Sequence, residues 1–108
     1  MNDLNKKFVP IILDKARNVY FNWNAFCKME EKMNCGSVEI LEKLSGSVGI
    51  RDLTIFLWGG LIHEDKSLSL DDVGEMLNFD DIEEYGKKIS EAIEKALPAK
   101  IKGKTKED

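Results

Sequence analysis

Few residues in this chain have the type and spacing that chemistry requires. His63 is the only histidine and could act as a general base, but no candidate nucleophile lies near it in sequence. Its place after a long apolar run favours a polar group at a helix C-terminus, where a cation is favourable. Cys27 and Cys35 are eight residues apart, whereas paired zinc ligands are usually about two to four residues apart. We therefore interpret both cysteines as core thiols and expect no metal site.

Motifs that bind cofactors or catalyse reactions are not found either. The sequence contains no Gly-rich phosphate loop, no Ser-centred elbow and no HExxH pair. The acidic pairs at residues 71–72 and 80–81 are explained as helix starts, where negative charge is favourable. We therefore expect a protein without a cofactor that is not an enzyme, and a small-molecule enzyme is the third-ranked alternative.

Acidic residues are concentrated in residues 64–84, which contain nine carboxylates and one lysine. One interpretation is a solvated face that also starts helices. The other is a binding site for a basic segment of a partner, attracted by complementary charge. The sequence pattern leaves both interpretations open.

The totals describe one small globular domain. The chain has 108 residues, 43% of them hydrophobic, and a net charge of -4, which argues against general nucleic-acid binding. Its longest apolar run is shorter than the ~20 residues that cross a bilayer, so we expect no membrane contact. The sequence does not start with a cationic and then apolar leader. We therefore expect a reducing cytoplasm with both thiols free.

The densest apolar stretch, residues 51–64, predicts a central helix with two apolar stripes. Gly59 and Gly60 lie inside it, and each costs roughly 1 kcal/mol relative to Ala. We expect another backbone element to approach closely there. Before it, two short apolar runs around a polar turn predict a β-hairpin at about residues 8–22.

Helical spacing and capping signals predict the remaining elements over about residues 23–97. Asn22 or Asn24 caps the first helix, which ends near residues 34–36, with Gly36 as the left-handed residue that commonly follows a helix. Ser37 starts the second helix. Ser69 with Asp72 forms a capping box before a short helix over residues 69–77. The last helix covers residues 80–97. The predicted fold is α+β and mostly α, a hairpin packed on a compact bundle of about five helices. Residues 1–98 form the domain, and residues 99–108 form a disordered tail.

The order of these segments resembles the tail assembly chaperones of long-tailed bacteriophages, prophages and gene transfer agents. The resemblance covers roughly residues 9–97. It is carried by residues 21–26 (FNWNAF), 29–32 (MEEK), 41–44 (LEKL), 51–53 (RDL), 57–61 (LWGGL) and 68–77 (LSLDDVGEML).

That resemblance implies a small helical factor in the cytoplasm of a bacterial host. Such a factor binds the aggregation-prone tape measure protein during tail assembly and has tail tube subunits as a second class of partner. The family offers no catalytic residues. Large apolar side chains near helix ends and neighbouring acids are the predicted partner-binding residues: Trp23, Trp58, Met76, Phe79, Glu75 and Asp80. For Trp58 a core position is an open alternative, and self-association of the chain is open too.

A runner-up from another class is a small helical adaptor or regulatory domain, DNA-associated through residues 69–77 and 80–97. The acidic charge of these residues argues against it, because phosphate contacts need Lys and Arg.

Overall fold

The computed structural model describes residues 7–97. Its elements are β1 (Val9–Ile12), β2 (Ala16–Val19), α1 (Trp23–Met33), α2 (Ser37–Ser45), α3 (Ile50–Leu61), α4 (Leu70–Gly74), a 3₁₀ turn (Phe79–Asp81) and α5 (Ile82–Ala96). A hairpin and five α-helices confirm the predicted α+β, mostly helical fold. The predicted tail at residues 99–108 and the domain boundary at residue 98 lie outside the described residues.

The hairpin is antiparallel, and its inner face belongs to the core. Val9 pairs with Val19 and both side chains are fully buried, whereas Pro10 faces outward opposite Asn18. Proline has no N–H to donate, so it suits an edge strand. Arg17 is buried on the inner face and reaches out to Asp14 through two hydrogen bonds of 2.7 and 2.9 Å.

Helix α3 is the centre of the domain, as the apolar stretch predicts. Eight of its twelve residues are buried: Leu53, Ile55, Phe56, Leu57, Trp58, Gly59, Gly60 and Leu61. Helices α1, α4 and α5 and strand β2 all contact it. A helix apolar around most of its circumference is stable in water only when several elements cover it. Within residues 7–97 no helix has the length and apolarity needed to cross a bilayer.

The two glycines of α3 mark the closest approach of neighbouring elements, which confirms the expected packing. A Cβ atom on Gly60 would lie 2.5 Å from Val19 Cγ1 of the hairpin and 3.2 Å from Phe21 Cζ. A Cβ atom on Gly59 would lie 2.7 Å from Met29 Cγ of α1. The lower helix propensity of glycine is therefore offset by tight packing on both sides of α3.

Local signals set the helix starts correctly and the helix ends less well. The Asn22 side chain accepts from Ala25 N–H at 2.8 Å, and Ser69 and Asp72 form the predicted capping box. Helix α1 ends in the predicted region, with its C-cap at Asn34, but the left-handed residue was predicted wrongly. Asn34, with φ of 57°, takes the left-handed position that we assigned to Gly36. Gly36 instead precedes α2 in extended conformation.

The boundaries near residues 74–82 also differ from the prediction. Helix α4 ends at Gly74 instead of continuing to residue 77, and α5 begins at Ile82 after the 3₁₀ turn. The predicted stripe of the short helix continued through Leu77, whereas in the structure Leu77 follows the turn after Gly74 and lines a groove.

Candidate partner-binding groove

An open apolar groove lies between the N-terminal half of α3 and the chain that joins α4 to α5. Its volume is about 200 Å³, below the roughly 300–1,000 Å³ of typical small-molecule sites. It is therefore sized for one or two side chains of a partner. The lining residues are Ile50, Leu53, Thr54, Gly74, Leu77, Asn78, Phe79, Ile82 and Tyr85.

Buried residues hold this groove in shape. Leu53 of α3 and Tyr85 of α5 belong to the core and are 6% and 3% exposed. The Tyr85 hydroxyl accepts a hydrogen bond from the Asn78 backbone N–H at 2.9 Å. This bond ties the connecting chain to α5. Val73 is fully buried and anchors α4 against the rest of the core.

Three large apolar side chains around the groove remain exposed to solvent. Phe79 is 78% exposed, Ile50 is 59% exposed and Ile82 is 41% exposed. Single exposed apolar residues need no explanation, but several around one concave surface are typical of an interaction site. We call the concavity that Ile50, Leu77, Phe79, Ile82 and the other lining residues form the apolar groove.

A second depression adjoins the groove across Gly74 and Thr54, which line both. Its volume is about 440 Å³, and its other lining residues are Arg51, Ile55, Leu70, Asp71 and Glu75. Opposite charges lie on its two sides, since Arg51 belongs to α3 and both acids flank or belong to α4. It is therefore a mixed, solvated depression and contrasts with the apolar groove.

Carboxylates border the wall of the groove that Phe79 and Ile82 form. Asp80, Asp81, Glu83 and Glu84 are all exposed, and no basic residue occurs among residues 79–84. Glu84 pairs with Lys88 at 3.7 Å. Within residues 7–97, the other three carboxylates form no ion pair.

The predicted partner-binding residues fall in different places. Phe79 lines the groove, Glu75 lines the neighbouring depression, and Asp80 follows Phe79 as an exposed residue that lines neither. Met76 is half-buried between them without lining either. Trp23 is 82% exposed at the start of α1 and does not line the groove.

The structure places Trp58 in the core, the alternative that its sequence position left open. Its side chain is only 7% exposed, and its indole N–H donates to the Leu68 carbonyl at 2.9 Å. The Lys32 ammonium lies 5.6 Å from the ring centroid, a favourable cation–π distance. Trp58 is therefore a core residue that fixes the chain entering α4.

The surroundings of the residues considered for catalysis or metal binding are those of residues that support the fold. His63 Nε2 lies 2.8 Å from the Asn18 carbonyl, and its ring packs against Phe8 and Tyr20. Both thiols are free, but Cys27 is exposed, so its assignment to the core was wrong, whereas Cys35 is half-buried against the core. No group of three or more metal-ligating side chains occurs within residues 7–97.

Sequence reasoning missed Ile50 and Ile82 as groove residues. Ile50 precedes the predicted helix directly after Gly49, and its apolar type was the only available signal. Ile82 lies inside the predicted last helix, where its apolar type is equally compatible with a core position. Comparisons with known protein families, with curated proteins and with solved structures found no match for this chain.

Proposed function

We propose that this protein is a tail assembly chaperone that holds an apolar helical segment of a tape measure protein and has no catalytic turnover. Tail tube subunits are its second proposed class of partner, and the cytoplasm of the bacterial host is its proposed place of action. The observation that carries the proposal is the apolar groove, with Ile50, Phe79 and Ile82 exposed around one concavity.

A helix that lays an apolar stripe into such a groove is a recurring mode of peptide recognition. Tape measure proteins are long amphipathic helices, so they present stripes of this kind. Fully burying a Phe or Ile side chain contributes roughly 1.5–3 kcal/mol, whereas association costs on the order of 4–15 kcal/mol. The gain from three partly exposed side chains and their partners in the helix is of the same order as this cost, so we expect weak, reversible binding. Reversible binding suits a factor that must release its client.

Co-expression with a tape measure protein tests the proposal. We expect the tape measure protein to become more soluble and to co-purify on size exclusion at micromolar concentrations. Phe79→Asp should weaken both effects, because it places a charge where an apolar side chain would be buried. Met76→Asp, a half-buried neighbour, should weaken them less.

Val38→Asp is the matched control. Val38 is 69% exposed and lies in the first turn of α2, where an acid is favourable and which the groove does not include. Circular dichroism must show that all three variants remain folded. An unchanged yield of soluble tape measure protein, or equal effects of Phe79→Asp and Val38→Asp, would count against the proposal.

A small helical adaptor is the remaining alternative, and a partner unrelated to phage tails that binds the groove would support it. DNA association gains no support from the exposed surface of residues 70–84, which carries seven carboxylates and no basic side chain.

A further inference from the structure

We propose that the apolar groove selects amphipathic helices that carry Lys or Arg along one flank of their apolar stripe. That the occupant is a helix rests on the proposed function. That its flank is basic is inferred from the two walls of the groove, which differ in charge. Phe79 and Ile82 form one wall and Ile50 forms the other.

The wall of Phe79 and Ile82 is acidic. Asp80, Asp81 and Glu83 lie beside these two residues, are exposed, and form no ion pair within residues 7–97. The opposite wall carries no such excess of negative charge. The cationic Arg51 follows Ile50 directly, and the Asp52 carboxylate forms an ion pair with the Lys43 ammonium at 3.8 Å. A helix in the groove would therefore meet negative potential along one flank only.

The helix dipole does not cancel this charge. The N-terminus of α5 lies in the same place, and a helix N-terminus carries roughly +0.5 elementary charge. Three exposed carboxylates carry about -3, so the wall stays strongly negative even after this partial offset. Lys or Arg on the flank of a partner would approach these carboxylates while its apolar stripe enters the groove.

Size decides against other ligands of positive charge. At about 200 Å³ the groove is small for a drug-sized cation. Its open shape admits successive side chains of a helix, which lie on one face at spacings of three and four residues. The ligand class is therefore a basic-flanked amphipathic segment of a protein.

Two synthetic helical peptides test the charge preference directly. Both carry the same stripe of leucines, and one has lysines on one flank where the other has glutamates. Fluorescence anisotropy with the full chain should show about tenfold tighter binding of the lysine peptide at low salt. The preference should shrink when salt shortens the Debye length from about 10 Å at 0.1 M to about 3 Å at 1 M.

A pair of double variants locates the effect. The D80N/D81N variant should reduce the preference for the lysine peptide by about threefold or more, because two charges of the acidic wall are lost. The E31Q/E94Q variant changes net charge equally, but its sites are exposed and outside the groove. It should leave the preference within about twofold. Melting curves must show that both variants are folded, since the two aspartates also start α5.

Three results would overturn the inference. One is equal affinity for the two peptides, or no binding of either. Another is an equal effect of the two double variants. The third is occupation of the groove by this chain itself. A dimer in sedimentation that Phe79→Ser dissociates would identify a second copy.

These outcomes are separable from failure of the proposed function. Loss of the charge preference, while Phe79→Asp still abolishes co-purification of the tape measure protein, defeats only the inference about charge. If the chain strongly prefers the lysine peptide but co-expression does not change the solubility of the tape measure protein, the proposed partner is wrong and the charge selectivity of the groove still holds.

Discussion

The two ends of α3 are built from the same helix but have opposite surroundings. At the C-terminal end, the hairpin and α1 press against Gly60 and Gly59 so closely that a Cβ atom would meet Val19 and Met29. At the N-terminal end, Ile50 is 59% exposed beside the apolar groove. We call these the closed end and the open end.

Hydrogen bonding shows the same contrast. At the closed end, the backbone N–H and side-chain amide of Asn18 donate to the Glu64 carboxylate at 3.2 and 3.0 Å. The Asn18 carbonyl lies 2.8 Å from His63 Nε2, and Tyr20 N–H donates to the Gly60 carbonyl at 2.9 Å. The outer edge of β2 is thereby covered. At the open end, one side-chain hydrogen bond, from Asn78 to Tyr85, joins the connecting chain to α5.

The difference separates stability from binding within one small domain. The closed end uses close packing and a covered strand edge, which both favour the native state without a partner. The open end leaves large apolar side chains in water, and they gain free energy only when another surface covers them. We therefore expect substitutions at the closed end to change folding and those at the open end to change binding.

The largest effect on stability is expected for Gly60→Leu at the closed end. Its side chain has no space, because even a Cβ atom would lie 2.5 Å from Val19 Cγ1. Overpacking of this kind costs about 1–3 kcal/mol. Gly60→Ala should also destabilise the protein, but by less. Gly59→Ala should destabilise it least of the three, because the Met29 side chain that it would meet is flexible. Thermal and urea unfolding measure the order of the three variants.

Gly86→Ala is the matched control for these variants. Gly86 lies inside α5, and a Cβ atom there would have no neighbour within 4 Å. The substitution should stabilise the protein by about 1 kcal/mol through helix propensity. If Gly60→Ala and Gly86→Ala both raised the melting temperature, the close packing of the closed end would be disproved.

A smaller effect is expected for Tyr85→Phe at the open end. The variant keeps the buried ring and loses the hydroxyl that accepts from Asn78 N–H. Loss of a typical hydrogen bond costs about 1 kcal/mol, and exposed Asn78 can bind water instead. Hydrogen exchange should accelerate at Asn78 and its neighbours and stay unchanged at Tyr20 of the closed end. Equal acceleration at both places would show that the two ends are not independent.

The smallest effect concerns pH and the hairpin turn beside the closed end. Hydrogen bonds from Arg17 lower the pKa of Asp14 from 3.8 to about 2. Since the pKa of Asp14 is lower in the folded state, its stabilising contribution is present above pH 3.8. That contribution is lost as the pH falls from 3.8 towards about 2. NMR titration should find the Asp14 midpoint in the lower part of this range, and Asp14→Asn should flatten the acid limb of stability there. A midpoint at the ordinary value would contradict the pairing.

Much of the fold was predictable from local sequence. The polar cap at Asn22, the box of Ser69 and Asp72, and the turn of the hairpin each depend on residues a few positions apart. Their physical causes act within one turn of chain, so the sequence carries them directly. The two glycines inside the most apolar helix likewise indicated close packing before any neighbour was known.

The candidate site was predictable only in part. Phe79 and Asp80 were identified from their types and their place at a helix start; Phe79 lines the groove, and Asp80 is the exposed residue that follows it. Ile50 and Ile82 were missed, and for Trp58 the sequence left open whether it lies in the core, where the structure places it, or at a partner-binding surface. Each of these residues is large and apolar at a helical position, so its type is compatible with either core or surface.

The sequence by itself therefore determined the elements, their caps and the apolar character of α3. Only the tertiary structure decided which apolar side chains the neighbouring elements cover. The Leu68 carbonyl accepts from Trp58 and helps bury it, whereas no element covers Phe79 within residues 7–97. Exposure depends on contacts between residues far apart in the chain, and the spacing of residues along one helix contains no information about which neighbour will meet it.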